Sequence, residues 1–183
     1  MKLLATPLAG LHEIIHAPHA DDRGRFTRLF CEQALAGIRP GLHFTQINLS
    51  ETLKAGTVRG LHYQTPPATE AKLIRCLRGR VFDVAVDVRA GSPTFLQWHA
   101  VELAGDSNRS VFIPEGFAHG FQSLTDDAHL LYMHTTDWTP TCEAGLRHDD
   151  PRLAIRWPLP ARHLSTRDRG YALIEAGFEG IRS

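Results

Sequence analysis

Between Val81 and Arg89 the chain alternates. Phe82, Val84, Val86 and Val88 fall on one side of an extended backbone, and Asp83, Ala85, Asp87 and Arg89 on the other. A period of two over that length predicts a β-strand with one strongly apolar face. Short segments rich in β-branched and aromatic residues also run from Phe44 to Ser50, Val58 to Gln64, Lys72 to Leu77, Phe95 to Leu103, Ser110 to Ile113 and His129 to Thr135. Turn-forming clusters separate them: Asp22-Arg23-Gly24, Pro40-Gly41, Pro66-Pro67, Ala90-Gly91-Ser92-Pro93, Pro114-Glu115-Gly116 and Ala144-Gly145. Helical periodicity is confined to a turn or two at Glu32–Ala36 and at Leu173–Ala176. Many short strands with Gly/Pro turns predict an all-β sandwich or barrel, and a jelly roll solves the edge-strand problem for such a chain. Pro151, Pro158 and Pro160 predict that the last ~30 residues wrap this body as irregular chain with short peripheral helices. No repeat, low-complexity tract or linker divides the sequence, so residues 1–183 read as a single domain.

Composition narrows the function classes. The 183 residues are 43% apolar and 22% charged, ordinary for a globular chain. Lys plus Arg equals Asp plus Glu at 20 each, a balance that argues against nucleic acid or an anionic membrane as partner. No apolar run approaches the ~20 residues of a membrane span. The few apolar residues after Lys2 are interrupted by His12 and Glu13, too short a stretch for a signal peptide. Cys31, Cys76 and Cys142 are odd in number and scattered, which suggests reduced thiols in the cytoplasm rather than a disulfide framework or a zinc site.

Four clusters carry candidate chemistry. The densest is Arg59-Gly60-Leu61-His62-Tyr63-Gln64, followed by Lys72. Simple alternation puts Arg59, Leu61 and Tyr63 on one face and Gly60, His62 and Gln64 on the other. An inward His would be a general base; a solvated sheet His is the blander reading. Pro114-Glu115-Gly116-Phe117-Ala118-His119-Gly120-Phe121 reads as a tight turn with a partly buried His. Tyr132, within an apolar strand and followed by Asp137-Trp138, is either core or a proton donor held dry. Asp168, after Ser165-Thr166-Arg167, is either a turn or cap residue or a carboxylate that orients a His.

Spacing alone does not join these clusters; a resemblance does. Asp22-Arg23-Gly24, Gln46-x-Asn48, Arg59 to Gln64, Lys72-Leu73, Phe82 to Arg89, Ser92-Pro93-Thr94-Phe95, Ile113 to Phe121, Asp149-Asp150-Pro151 and Trp157-Pro158 occur in order, and the set resembles the dTDP-4-dehydrorhamnose 3,5-epimerase family from about Asp22 to Asp168. The resemblance implies a cupin-type jelly roll, a homodimer, and a nucleotide-sugar substrate, dTDP-4-keto-6-deoxyglucose, inverted at C3 and C5 beside the C4 ketone without cofactor or metal. It further implies His62 as base, Asp168 as the carboxylate that orients it, Lys72 beside the C4 oxygen and Tyr132 as acid on the other face. Arg23, Arg28, Gln46, Asn48, Arg59, His119, Trp138, Glu143 and Arg167, with Lys72, match substrate-contacting positions.

Three positions depart from the family pattern. Arg28 stands where a Glu is usual, Trp138 where a Tyr stacks on thymine, and His148 where a Trp precedes Asp149-Asp150-Pro151. Arg28 reverses a charge at the nucleotide end; Trp138 can still stack. Rival readings are a metal-dependent cupin, a sugar-binding cupin without activity, and a sugar-nucleotide 3,4-ketoisomerase. Pro114-x-Gly116-x-x-His119 looks like half of a cupin metal motif, but His62 is followed by Tyr63 and Gln64 rather than by further ligands.

Overall fold

The computed structural model describes residues 1–182. Two antiparallel sheets face one another as a cupin-like jelly roll. One has six strands in the order β1 (Lys2–Ala5), β2 (His12–Ile15), β10 (Arg109–Ile113), β7 (Lys72–Arg78), β12 (Ala128–His134) and β5 (Gln46–Thr52). The other has five, in the order β13 (Glu143–Gly145), β6 (Val58–Gln64), β11 (Phe117–Ser123), β8 (Arg80–Asp87) and β9 (Trp98–Ala104). A separate exposed hairpin is made of β3 (His19–Asp21) and β4 (Gly24–Phe26). No helix among the described residues is long and apolar enough to cross a membrane.

The alternation read at Val81–Arg89 has a fuller consequence than one apolar face. Phe82, Val84, Val86 and Val88 lie on the outside of the five-stranded sheet, where Leu146, Leu153, Ile155, Trp157, Ile174, Phe178 and Ile181 of the C-terminal wrap cover them. Val81 and Ala85 face the interior with Ile74, Cys76, Leu103, Phe117, Phe121 and Leu130. Both faces of β8 are therefore buried, one in the barrel and one under irregular chain. That chain is fastened by polar contacts: Asp150 accepts from the Ile174 N–H at 2.6 Å, and the Trp98 indole donates to the Leu153 carbonyl at 2.9 Å. The six-stranded sheet is covered on its outside by Phe30, Leu35, Ile38, Leu42 and Phe44, which pack on Ile14, Leu73 and Phe112.

Two local expectations change. Phe117–Ser123 is a strand, not the end of a turn; it pairs with β6 on one side and β8 on the other, and its glycine had hidden the period. Leu173–Ala176 is not helical. The C-terminal helix is instead α2 (Thr166–Gly170), whose first turn is capped by the Ser165 side chain accepting from the Asp168 N–H. The other helix, α1 (Glu32–Leu35), falls within the predicted Glu32–Ala36.

Candidate active site

A cavity of about 540 Å³ opens at one end of the barrel, with His62, Glu70, Lys72, His119, Tyr132 and His134 among its walls. Simple alternation puts Arg59 and His62 on opposite faces, yet both line the cavity. The reason is a register shift between β6 and β11. His119 pairs with His62 and Phe121 with Arg59, so two residues of β6 stand against one of β11. Gly60 permits it: its φ is +113°, and a Cβ there would fall 2.7 Å from the Gly120 Cα and the His119 carbonyl oxygen.

His62 Nε2 lies 2.7 Å from Asp168 Oδ1. Asp168 is buried, and its other oxygen accepts from the Gly60 N–H at 3.3 Å. Burial alone would raise the Asp168 carboxyl, but the His62 bond and charge, with the Gly60 and Ser165 contacts, hold it below the ordinary value. The pairing places the His62 proton on Nε2 and leaves Nδ1 as the ring's acceptor. Arg167 Nη2 approaches the same Nε2 at 3.4 Å, while its Nη1 is 2.8 Å from each Glu143 oxygen.

Tyr132 comes from the opposite sheet. Its ring meets His119 edge-on at 5.8 Å between centroids and packs against the apolar interior. Burial pushes its phenol well above the ordinary value; the Asp83 charge adds to this and Arg59 opposes it. The hydroxyl is thus held as a donor. His119 Nε2 is 2.9 Å from Asp83 Oδ2, both buried, a second His–carboxylate pair deeper in the barrel. Lys72 is buried, with Nζ 3.0 Å from Glu70 Oε1 and 3.3 Å from the His62 carbonyl.

Near the mouth, Arg59 donates to Thr52 Oγ1 and to the Glu51 carbonyl, each at 3.1 Å. Gln46 and Asn48 lie on β5, and Gln46 Oε1 accepts from the Trp138 N–H at 3.1 Å. Trp138 is 57% exposed at the rim of the cavity. Among the described residues no group of three His, Cys, Asp or Glu is placed to hold a metal ion.

Comparisons with known proteins identify the family. The model of the dTDP-4-dehydrorhamnose 3,5-epimerase family matches residues 5–176. The chain belongs to this family. It is therefore an enzyme of the epimerase type. A dTDP-4-dehydrorhamnose 3,5-epimerase of Pseudomonas aeruginosa is 43% identical over 177 residues, covering 94% of this chain and 97% of that one. A dTDP-4-dehydrorhamnose 3-epimerase of Streptomyces niveus is 39% identical over 183 residues, covering 99% and 88%. A crystal structure of the dTDP-6-deoxy-D-glucose-3,5-epimerase of Legionella pneumophila, in complex with dTDP-4-keto-L-rhamnose, superposes with a TM-score of 0.90 at 39% identity, covering 100% and 98%.

Not every residue named from the epimerase resemblance reaches the cavity. His62, Lys72, Tyr132, Asp168, Gln46, Asn48, Arg59, His119, Trp138, Glu143 and Arg167 all line it. Arg23 and Arg28 do not. Arg23 sits in the exposed β3–β4 turn, paired with Asp21 at 2.6 Å, and Arg28 follows the hairpin in solvent. His148 also lies outside, its Nδ1 buried without a hydrogen-bond partner, 3.8 Å from Asp149 Oδ1, and its carbonyl accepting from the Trp157 indole. Among the wall residues that escaped the sequence reading are Glu70, two before Lys72, and His134, two after Tyr132. Following the period of two within the predicted strand His129–Thr135 and one step back from Lys72 would have found both.

Proposed function

We propose that this enzyme epimerises a dTDP-4-keto-6-deoxy-hexose at C3, at C5 or at both, by deprotonation through an enolate in deoxysugar biosynthesis. The observation that carries the reading is the placement of His62 and Tyr132 on opposite sheets of one cavity. A sugar ring between them has a base on one face and an acid on the other, which inversion requires. His62 Nδ1 takes the proton α to the ketone, and the electron pair moves onto the C4 oxygen. Lys72 stabilises that oxyanion. Tyr132 then returns a proton to the same carbon from the other side. Each inversion leaves an imidazolium and a phenolate, which reset by proton exchange with solvent. Asp168 holds the ring nitrogen and stabilises the imidazolium, as in other His–carboxylate pairs. Arg59 and Arg167 suit the diphosphate, whose oxygens match a guanidinium fork, and Trp138 suits the base.

The working form in this reading is a homodimer built on the one domain of residues 1–183. Two features support it. β5 is the open edge of its sheet and exposes Ile47 and Leu49, and the hairpin exposes Phe26. A contact between copies would also give Arg23 and Arg28, which are too far out to line their own cavity, a site to serve. Light scattering at micromolar concentration tests the dimer.

The reaction is tested by incubating dTDP-4-keto-6-deoxyglucose with the protein in deuterated water and reading C3 and C5 by NMR. Deuterium at either position supports the reading; none at both overturns it. Deuterium at C3 alone assigns a 3-epimerase. Because the ketone already activates both carbons, turnover is expected to survive exhaustive chelation. Loss to chelator with rescue by one metal would favour the metal-dependent reading.

A further inference from the structure

Lys72 is the most mobile kind of catalytic cation, an ammonium on a four-carbon stem. It does not hang free here. Nζ is 3.0 Å from Glu70 Oε1 and 3.3 Å from the His62 carbonyl, so two of its three donors are engaged and one remains for a ligand oxygen. Glu70 is itself fixed from the other side: its Oε2 is 2.8 Å from His134 Nδ1. The backbone around Glu70 is clamped to the continuation of β12, with Thr136 Oγ1 donating to the Thr69 carbonyl at 2.9 Å and the Ala71 N–H donating to Thr135 Oγ1 at 2.8 Å. His134 pairs across the sheet with Lys72 and stacks on Tyr132 at 5.9 Å and 10°.

We propose that Glu70 is a positioning residue for Lys72, held in turn by His134, so that the free N–H of the ammonium is aimed at the substrate's C4 oxygen. The inference rests on the epimerase reading above. All three side chains are largely buried, at 10%, 8% and 13% exposure for Glu70, Lys72 and His134. A carboxylate so buried persists only with both oxygens bonded. Burial alone would raise the Glu70 carboxyl, but the His134 bond and the Lys72 charge keep it below its ordinary value, and so ionised. The network leaves Lys72 one orientation instead of several.

The test is steady-state kinetics and C3/C5 deuterium exchange with dTDP-4-keto-6-deoxyglucose. Glu70→Ala is expected to lower kcat by about 10- to 100-fold, the scale of a catalytic group displaced by an ångström or so, with KM close to that of the parent. Glu70→Gln keeps an oxygen for Lys72 and should recover most of the loss. Should Glu70→Ala fail to fold, Glu70→Met, of similar length and without a carboxylate, carries the same expectation. In a Lys72→Ala background, Glu70→Ala should have no further effect, because its action runs through Lys72. His134→Ala should lower kcat less than Glu70→Ala. A folded Glu70→Ala protein with parental kcat, or a loss that adds fully to Lys72→Ala, overturns the inference. A parent protein that exchanges neither proton removes the epimerase reading and this inference with it; an active parent with a silent Glu70→Ala removes this inference alone.

Discussion

Along β7 and β12 the inward side chains form matched rows: Lys72 opposite His134, Ile74 opposite Tyr132, Cys76 opposite Leu130. The first row is wholly polar and walls the cavity; the last is apolar and buried in the interior cluster. Four residues of strand, roughly 13 Å, separate the polar row from the apolar one. Tyr132 stands on the boundary, its ring against the core and its hydroxyl at the edge of the site. The comparison teaches that this barrel does not place His62, Lys72 and Tyr132 on loops laid over a finished core. For His62, Lys72 and Tyr132 it continues the same strand faces past the point where apolar residues stop, so these three inherit the rigidity of the sheet, while Asp168 and Trp138 reach the site from outside it.

If the two ends are separable, substitutions at each should have different readouts. The largest effect is expected from His62→Ala, which should cost ~10²–10⁴-fold in exchange at both C3 and C5 in a protein that still folds. A folded His62→Ala protein that binds the nucleotide sugar and exchanges both protons at the parental rate would overturn its assignment as base. At the apolar end, Leu130→Ala should cost about 2–5 kcal/mol of stability through the cavity it leaves, measured by denaturant unfolding. The surviving folded fraction should keep its exchange rate; a rate loss as large as that of His62→Ala would erase the distinction between the ends.

Asp168→Asn keeps the fold and the base but loses the charge that orients it. It should cost ~10²-fold in rate, at the lower end of general-base effects. Tyr132→Phe should sharpen the boundary: it retains the packing and deletes the donor, so completed inversion at C5 should fall more than initial exchange at C3.

The smallest effect concerns a polar cluster that belongs to neither end. Burial alone would raise the Asp87 carboxyl, but bonds from Arg89, Ser92 and Thr94 outweigh it and bring it to about 2. An unfolded Asp titrates near ~3.9, so the ionised native form stabilises the fold fully above that value, and the contribution is lost as pH falls toward 2. Asp87→Asn should cost on the order of 2 kcal/mol at neutral pH and flatten the acid limb of the unfolding profile without changing the exchange rate. An unaltered acid limb would show that Asp87 does not carry it.

Alternation located the run Val81–Arg89 within a residue or two of its ends, and β-branched and aromatic segments between turn signals located the strands from Val58 to Gln64 and from Lys72 to Leu77, because both are local properties of the chain. The ordered motifs marked His62, Lys72, Tyr132 and Asp168 before any coordinate, through resemblance rather than spacing. Three things needed the tertiary structure. Arg59 and His62 share a face only because the β6–β11 register slips at Gly60, a contact between strands about 60 residues apart. Asp168 reaches His62 across 106 positions, carried there by the C-terminal wrap, and nothing local to Ser165–Asp168 points to that partner. Glu70 and His134 meet because β7 and β12 are neighbours in the sheet, although 64 positions part them. Periodicity determines which way a side chain faces; only the pairing of distant strands determines what it faces.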